Sequence, residues 1–205
     1  MKDFEKLFFY INEKAEYRDL QEKLEYEVCD YFSKLQIPDE PTLYDYLILS
    51  LTEKDTIISF NWDPFLIQAY KKKICVGNLP ELIFPHGNAG VGLCYDCKIK
   101  GYANCLCPKC FKELQQMSLL YPIGKKDYNV KPIIVNEWNS AKSVLSRAAG
   151  ITVYGYGAPV TDIEEMESMK SANHLSQMKD IVPFTIINLA KNEDEQRKNG
   201  LNFIM

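Results

Sequence analysis

No glycine precedes Gly77, the first of ten in this 205-residue chain. Loops that cradle phosphates depend on glycine to bring successive backbone N–H groups close to the anion. The first third of the chain therefore holds no glycine-rich phosphate loop. Histidine is equally scarce: there are two, His86 and His174. His174 follows a charged, helix-like stretch and reads as solvated, which leaves His86 as the candidate for acid–base chemistry. No apolar run approaches the roughly 18 residues that a membrane-spanning helix requires. No dense basic stripe stands out in a chain of formal net charge -4, so nucleic-acid binding has no general electrostatic support. The start, Met1-Lys2-Asp3-Phe4-Glu5, lacks a secretory pattern. With seven cysteines, this sets the expectation of free thiols in a reducing cytoplasm rather than disulfides.

The cysteines are the strongest positive signal. Five of the seven lie between positions 94 and 110, as Cys94-x2-Cys97 and Cys105-x-Cys107-x2-Cys110. Two C-x-x-C knuckles at this separation form a zinc-ribbon signature, because four thiolates can close a tetrahedron around Zn²⁺ without help from distant chain. Cys94, Cys97, Cys107 and Cys110 are the expected ligands and Cys105 the spare. A site of four sulfurs leaves no open position, which points to a structural metal. Cys29 and Cys75 are expected as core thiols. Just ahead of the module lies Phe84-Pro85-His86-Gly87-Asn88, read as an exposed His-Gly turn.

Periodicity organises the rest. Residues 3–36 read as helix and Pro38 and Pro41 end it. Thr42-x-x-Asp45 marks a capped helix through about Leu51. Thr56 to Phe60 is a β-branched, apolar strand. Asp63 is a good N-cap and Pro64 a good first residue for a helix that ends at Lys71-Lys72-Lys73. Glu81 to Pro85 is a second strand. Pro132-Ile133-Ile134-Val135 is a third candidate, followed by a helix over 137–149. Ile151 to Tyr154 is a strand running into Gly155-Tyr156-Gly157. Thr161-x-x-Glu164 caps a further helix, with Met166 and Met169 on its core face. Phe184 to Ile187 is a last strand, ending at Asn188. Apolar strands alternating with helices predict an α/β fold, a Rossmann-like, mostly parallel sheet with helices on both faces. Ligands of such sheets bind at the carboxyl ends of strands, where Asn61, Asp63, His86, Gly155 to Gly157 and Asn188 all fall.

These motifs, in this order, resemble the sirtuin-like superfamily, most closely its divergent prokaryotic branch. Ile58-Ser59-Phe60-Asn61-Trp62-Asp63 resembles the strand and Asn-x-Asp turn that face the nicotinamide ribose. Pro85-His86-Gly87 resembles the catalytic His-Gly, and the zinc ribbon follows it as it does in sirtuins. Val153 to Pro159 with Asp162 is similar to the glycine turn on the adenosine side of NAD. Ile186-Ile187-Asn188 is similar to the late strand with its ribose-binding asparagine. The resemblance covers about residues 55–190. The family's N-terminal Gly-Ala-Gly loop has no counterpart here.

The resemblance implies a helical N-terminal region (1–54), a sirtuin-like Rossmann-type domain (55–87 and 121–205) and a zinc-ribbon insert (88–120). It implies a structural Zn²⁺, with NAD as substrate or ligand. The implied activity is cleavage of the nicotinamide–ribose bond, with His86 and Asn61 catalytic. Asn61, Asp63, Gly155, Tyr156, Gly157 and Asn188 would contact the nucleotide. Bacterial defence against phage is the implied setting, and a protein partner could supply the missing phosphate loop. Two other classes stay open: a nucleotide-binding module without turnover, and a zinc-stabilised interaction protein. A protein-lysine deacylase ranks lower, since no motif for an acyl-lysine groove is present.

Overall fold

The computed structural model describes residues 7, 8, 10, 11, 13–121, 132–155 and 183–187. The chain divides into two compact units, Met1–Glu137 and Trp138–Met205. It is a mixed α/β protein, with two short parallel strand pairs and one antiparallel three-stranded sheet among the described residues.

In the first unit, apolar residues at Leu24, Val28 and Phe32 recur every fourth position and set one stripe along a helix. Arg18–Ser33 forms that helix, α1. The helix expected over 3–36 is not continuous. Leu7, Phe8, Tyr10 and Ile11 are helical, but the chain turns at Glu13 and passes through a 3₁₀ turn at Ala15–Tyr17 before α1 begins. The break lets both pieces face one apolar cluster. Phe8, Leu119 and Tyr121 form its buried centre, with Leu24, Val28, Cys29 and Trp62 packed against it. Phe8 and Tyr121 stack at 4.9 Å, and the Tyr121 hydroxyl donates to the Glu25 carbonyl at 2.8 Å.

Helix α2, Leu43–Ser50, starts with the capping box its sequence predicts. The Asp45 carboxylate accepts the Thr42 hydroxyl at 2.7 Å and the Thr42 backbone N–H at 2.8 Å. Those two bonds hold the buried carboxyl below the usual carboxylate range. Caps of this kind contribute about 1 kcal/mol.

Strand β1 (Thr56–Ile58), helix α3 (Phe65–Lys73) and strand β2 (Glu81–Ile83) form a β-α-β unit. The strands are parallel, with Ile57 opposite Leu82, and the Ser59 N–H extends the ladder to the Ile83 carbonyl at 2.9 Å. Past α3 the backbone turns through Gly77 at a φ of 72°, and Cys75 is exposed on the 3₁₀ turn before it. That corrects the expectation of a core thiol at Cys75: the turn lies beyond the helix face that packs inward.

The antiparallel sheet comprises β3 (Val91–Cys94), β4 (Ile99–Tyr102) and β5 (Gln115–Gln116), in the order β4-β3-β5. Helix α4, Pro132–Leu145, spans the strand expected at 132–135. Ile134, Trp138 and Ala141 are buried at intervals of four and three, a helical spacing that an isolated four-residue run hides.

In the second unit β6 (Ile151–Tyr154) and β7 (Phe184–Ile187) pair in parallel, Val153 opposite Ile186. The segments carrying Thr161-x-x-Glu164, Met166, Met169 and His174 lie outside the described residues. No helix among the described residues is long and apolar enough to cross a membrane.

Candidate metal centre and strand-end site

Two knuckles build the candidate metal centre. The β3–β4 hairpin pairs Cys94 with Ile99, so Cys94-Tyr95-Asp96-Cys97 closes the turn between them. The second knuckle is closed by the Cys107 N–H on the Lys112 carbonyl at 2.8 Å and the Phe111 N–H on the Cys107 carbonyl at 2.9 Å. The sulfurs of Cys94, Cys97, Cys107 and Cys110 all lie within 4.8 Å of one another, and Cys94 and Cys110 approach to 3.5 Å. A tetrahedron with metal–sulfur bonds of about 2.3 Å has edges of roughly 3.8 Å, so the four sulfurs can hold one ion with little adjustment.

The backbone agrees. The Cys97 N–H is directed at the Cys94 sulfur, and those of Cys110 and Lys109 at the Cys107 sulfur. The Cys110 N–H foremost draws the Cys107 thiol down to about 7. Burial first, and then the neighbouring sulfurs, push the Cys97 thiol up to about 12. Four thiols this close cannot all ionise without a cation among them, so the donor set suits a thiophilic divalent metal. Cys105, the expected spare, stands outside the cluster of four and packs beside it.

The strand-end site rests on the parallel β1–β2 pair, which sends both following loops off the same end. Asn88, fully buried, ties them together. Its side-chain NH₂ donates to the Asn61 carbonyl at 3.2 Å and the Asp63 carbonyl at 2.6 Å, while its Oδ1 accepts the Gly90 N–H at 2.9 Å. The Ala89 N–H adds a bond to the Trp62 carbonyl at 2.9 Å. The Asn61–Asp63 turn and the His86–Asn88 turn are thus one bonded assembly. Asn61 is exposed. The N-cap of α3 is Pro64 and not Asp63 as expected; Asp63 stands one residue earlier, its Oδ1 accepting the Phe65 N–H at 3.2 Å, and burial raises its carboxyl above the usual range.

His86 departs from expectation. Rather than an exposed turn, it is 9 % exposed, with its ring 5.0 Å from that of Phe60 and edge-on to it, and its carbonyl accepting the Leu120 N–H at 2.9 Å. The chain returning from the metal centre causes this, since residues 117–121 run back alongside the loop.

That close return also fixes Gly87. Its φ is 76°, and a Cβ there would meet the Ser118 carbonyl oxygen at 2.1 Å. Gly87→Ala is expected to destabilise the fold by about 2–4 kcal/mol, strain and overpacking combined. A shift in the denaturant midpoint measures it, and an unchanged midpoint would contradict the close approach.

Of the other expected nucleotide contacts, Gly155 lies in the second unit at a φ of 63°, its N–H on the Ile187 carbonyl at 2.9 Å. Tyr156, Gly157 and Asn188 lie outside the described residues.

Three residues carry more than sequence reasoning gave them. Asn88 was legible only as the end of a motif. Glu137 and Lys100 gave no sequence signal beyond their charge, yet they seal the free edge of β2. The buried Glu137 carboxylate accepts the Phe84 N–H at 2.6 Å and pairs with the Lys100 Nζ at 2.8 Å. Lys100 also donates to the Leu82 carbonyl at 3.0 Å. No protein-family model matches the chain, and no curated protein matches it at a significant level.

Proposed function

We propose that this chain is a sirtuin-like domain, a divergent Rossmann-type fold, that cleaves the nicotinamide–ribose bond of NAD. The observation that carries the reading is the bonded pair of strand-end turns: Asn61–Asp63 and His86–Gly87 leave a parallel β1–β2 pair at one end and are cross-tied by Asn88. A four-cysteine ribbon follows at once, and its thiolates are proposed to hold Zn²⁺ as a structural ion.

Breaking the nicotinamide–ribose bond passes through an oxocarbenium-like transition state, and it needs positioning more than covalent help. His86 would accept a proton from a ribose hydroxyl or from water, the general-base role that an imidazole fills in many active sites. Asn61, exposed on the first of the two tied turns, would hold the ribose or orient water. Asp63 would face the nicotinamide side. Gly155, Tyr156, Gly157 and Asn188 are proposed for the adenosine half. The diphosphate has no glycine loop in the first 76 residues to receive it, so weak affinity, or a partner chain that supplies the loop, is part of the proposal. A reducing cytoplasm and a role in bacterial defence fit this reading.

One observation favours a second reading, binding without turnover. His86 is largely enclosed by its own loop and Phe60, which restricts its reach.

The test is nicotinamide release by zinc-replete protein, beside thermal stability with and without NAD. Release that falls by about 10²-fold or more in His86→Ala and Asn61→Ala, at unchanged fold stability, supports cleavage. Stabilisation by NAD without release supports the binding module. Neither effect removes both readings and leaves the zinc-stabilised interaction protein.

A further inference from the structure

Asn61 is an exposed loop residue whose backbone is nevertheless held at both ends. Its N–H donates to the Ser59 Oγ at 3.3 Å, and its carbonyl accepts the Asn88 Nδ2 at 3.2 Å. The next two carbonyls are held by the same distant segment. That of Trp62 accepts the Ala89 N–H at 2.9 Å, and that of Asp63 accepts the Asn88 Nδ2 at 2.6 Å. Ordering an exposed loop costs backbone entropy. Here the folded chain has met that cost before any ligand arrives.

The two ends of the Asn88 carboxamide do different work. Its Oδ1 accepts the Gly90 N–H, two residues on, at 2.9 Å and shapes its own loop. Its Nδ2 uses both hydrogens on the other loop, 27 and 25 residues away in sequence. Gly90 permits that reach. A Cβ there would meet the Ile67 Cγ2 at 2.4 Å and the Pro64 Cβ at 2.8 Å, so no side chain could stand between this loop and the start of α3. Asn88 is 0 % exposed, which rules out direct contact with a substrate. Whatever it does for the site, it does through the residues it holds.

We propose that Asn88 is a positioning residue of the strand-end site, its amide end presenting the Asn61 side chain where that side chain acts. This role rests on the reading of Asn61 as a catalytic group in NAD cleavage. A carboxamide suits it because apolar packing is non-directional, whereas hydrogen bonds to two carbonyls of one turn fix distance and rotation together. Reactions that depend on placement are sensitive to such control, and a shift of about 1 Å can cost roughly 100-fold in rate.

The experiment places Asn88→Ser in two backgrounds, wild type and Asn61→Ala, using full-length, zinc-replete protein. A serine hydroxyl can still accept the Gly90 N–H but is too short to span to the other loop. In the wild-type background it should lower kcat for nicotinamide release by about 10- to 100-fold, with KM changed by less than about threefold. In Asn61→Ala it should lower the residual single-turnover rate by less than about twofold, because the group it positions is already gone. The Asn61 carbonyl survives in that background, so a purely structural role would lower the rate by the same factor in both. Equal losses would therefore overturn the proposal. Asn88→Asp, which keeps the side-chain volume and the Gly90 bond but removes both donors, is the second variant and should show the same pattern. An active wild type whose kcat neither variant changes would overturn this role alone. A wild type that releases no nicotinamide would overturn the cleavage reading and this role together.

Discussion

Cys107→Ser is expected to lose the metal and with it the ribbon. Wild-type protein prepared without chelator should contain about one zinc per chain by elemental analysis, and Cys107→Ser or Cys94→Ser close to none. The magnitude follows from how little else holds this module together. Its buried centre comprises only Cys94, Cys107 and Leu114, and β5 contributes two residues to the sheet. A structural zinc contributes on the order of 10–16 kcal/mol of apparent binding energy, far more than that centre can supply. The damage should reach the strand-end site as well. The returning chain that bonds His86 through Leu120 and crowds Gly87 through Ser118 is positioned by the ribbon. Cys105→Ser, which alters a sulfur outside the cluster, should keep its metal and most of its stability. Metal-free wild type with an unchanged melting temperature would remove the metal from the account of this fold.

Glu137→Ala should cost about 3 kcal/mol. Removing one partner of a buried ion pair typically costs roughly 3–5 kcal/mol, and the lower end applies because Lys100 keeps a side-chain exposure of 37 % and can turn to water. Most of the loss comes from the Phe84 N–H, buried and left without its acceptor. Glu137→Gln, which retains a carbonyl for that N–H, should lose less. In Glu137→Leu/Lys100→Met neither charge is stranded, so the double variant should be destabilised by less than the sum of its singles. Denaturant midpoints of the four proteins complete the cycle. Strict additivity would show that the pair is not coupled and that β2 is held by other contacts.

Residues that satisfy their structural role locally were readable from the sequence. The knuckle spacing of Cys94/Cys97 and Cys107/Cys110 selected the four sulfurs that converge, because each C-x-x-C closes its own turn. The Thr42/Asp45 box was legible for the same reason: donor and acceptor lie within three residues of each other. Strands at 56–58, 81–83, 151–154 and 184–187 were found as short apolar runs. The run at 132–135 was misread because four apolar residues carry no period; only Trp138 and Ala141, further along, reveal the helix.

What sequence separation concealed was decided by tertiary structure. Asn88 holds Asn61 and Asp63 from 27 and 25 residues away, and Glu137 reaches Phe84 across 53. His86 looked exposed because its immediate neighbours are a proline and a glycine, whereas its burial comes from the chain returning at 117–121. The sequence by itself determined the four converging cysteines, the capped start of α2 and four of the apolar strands, all products of short-range geometry. The enclosure of His86, the pinning of two loops by one asparagine and the sealed edge of β2 depend on which distant backbone groups need a partner once water is excluded, and only the folded chain settles that.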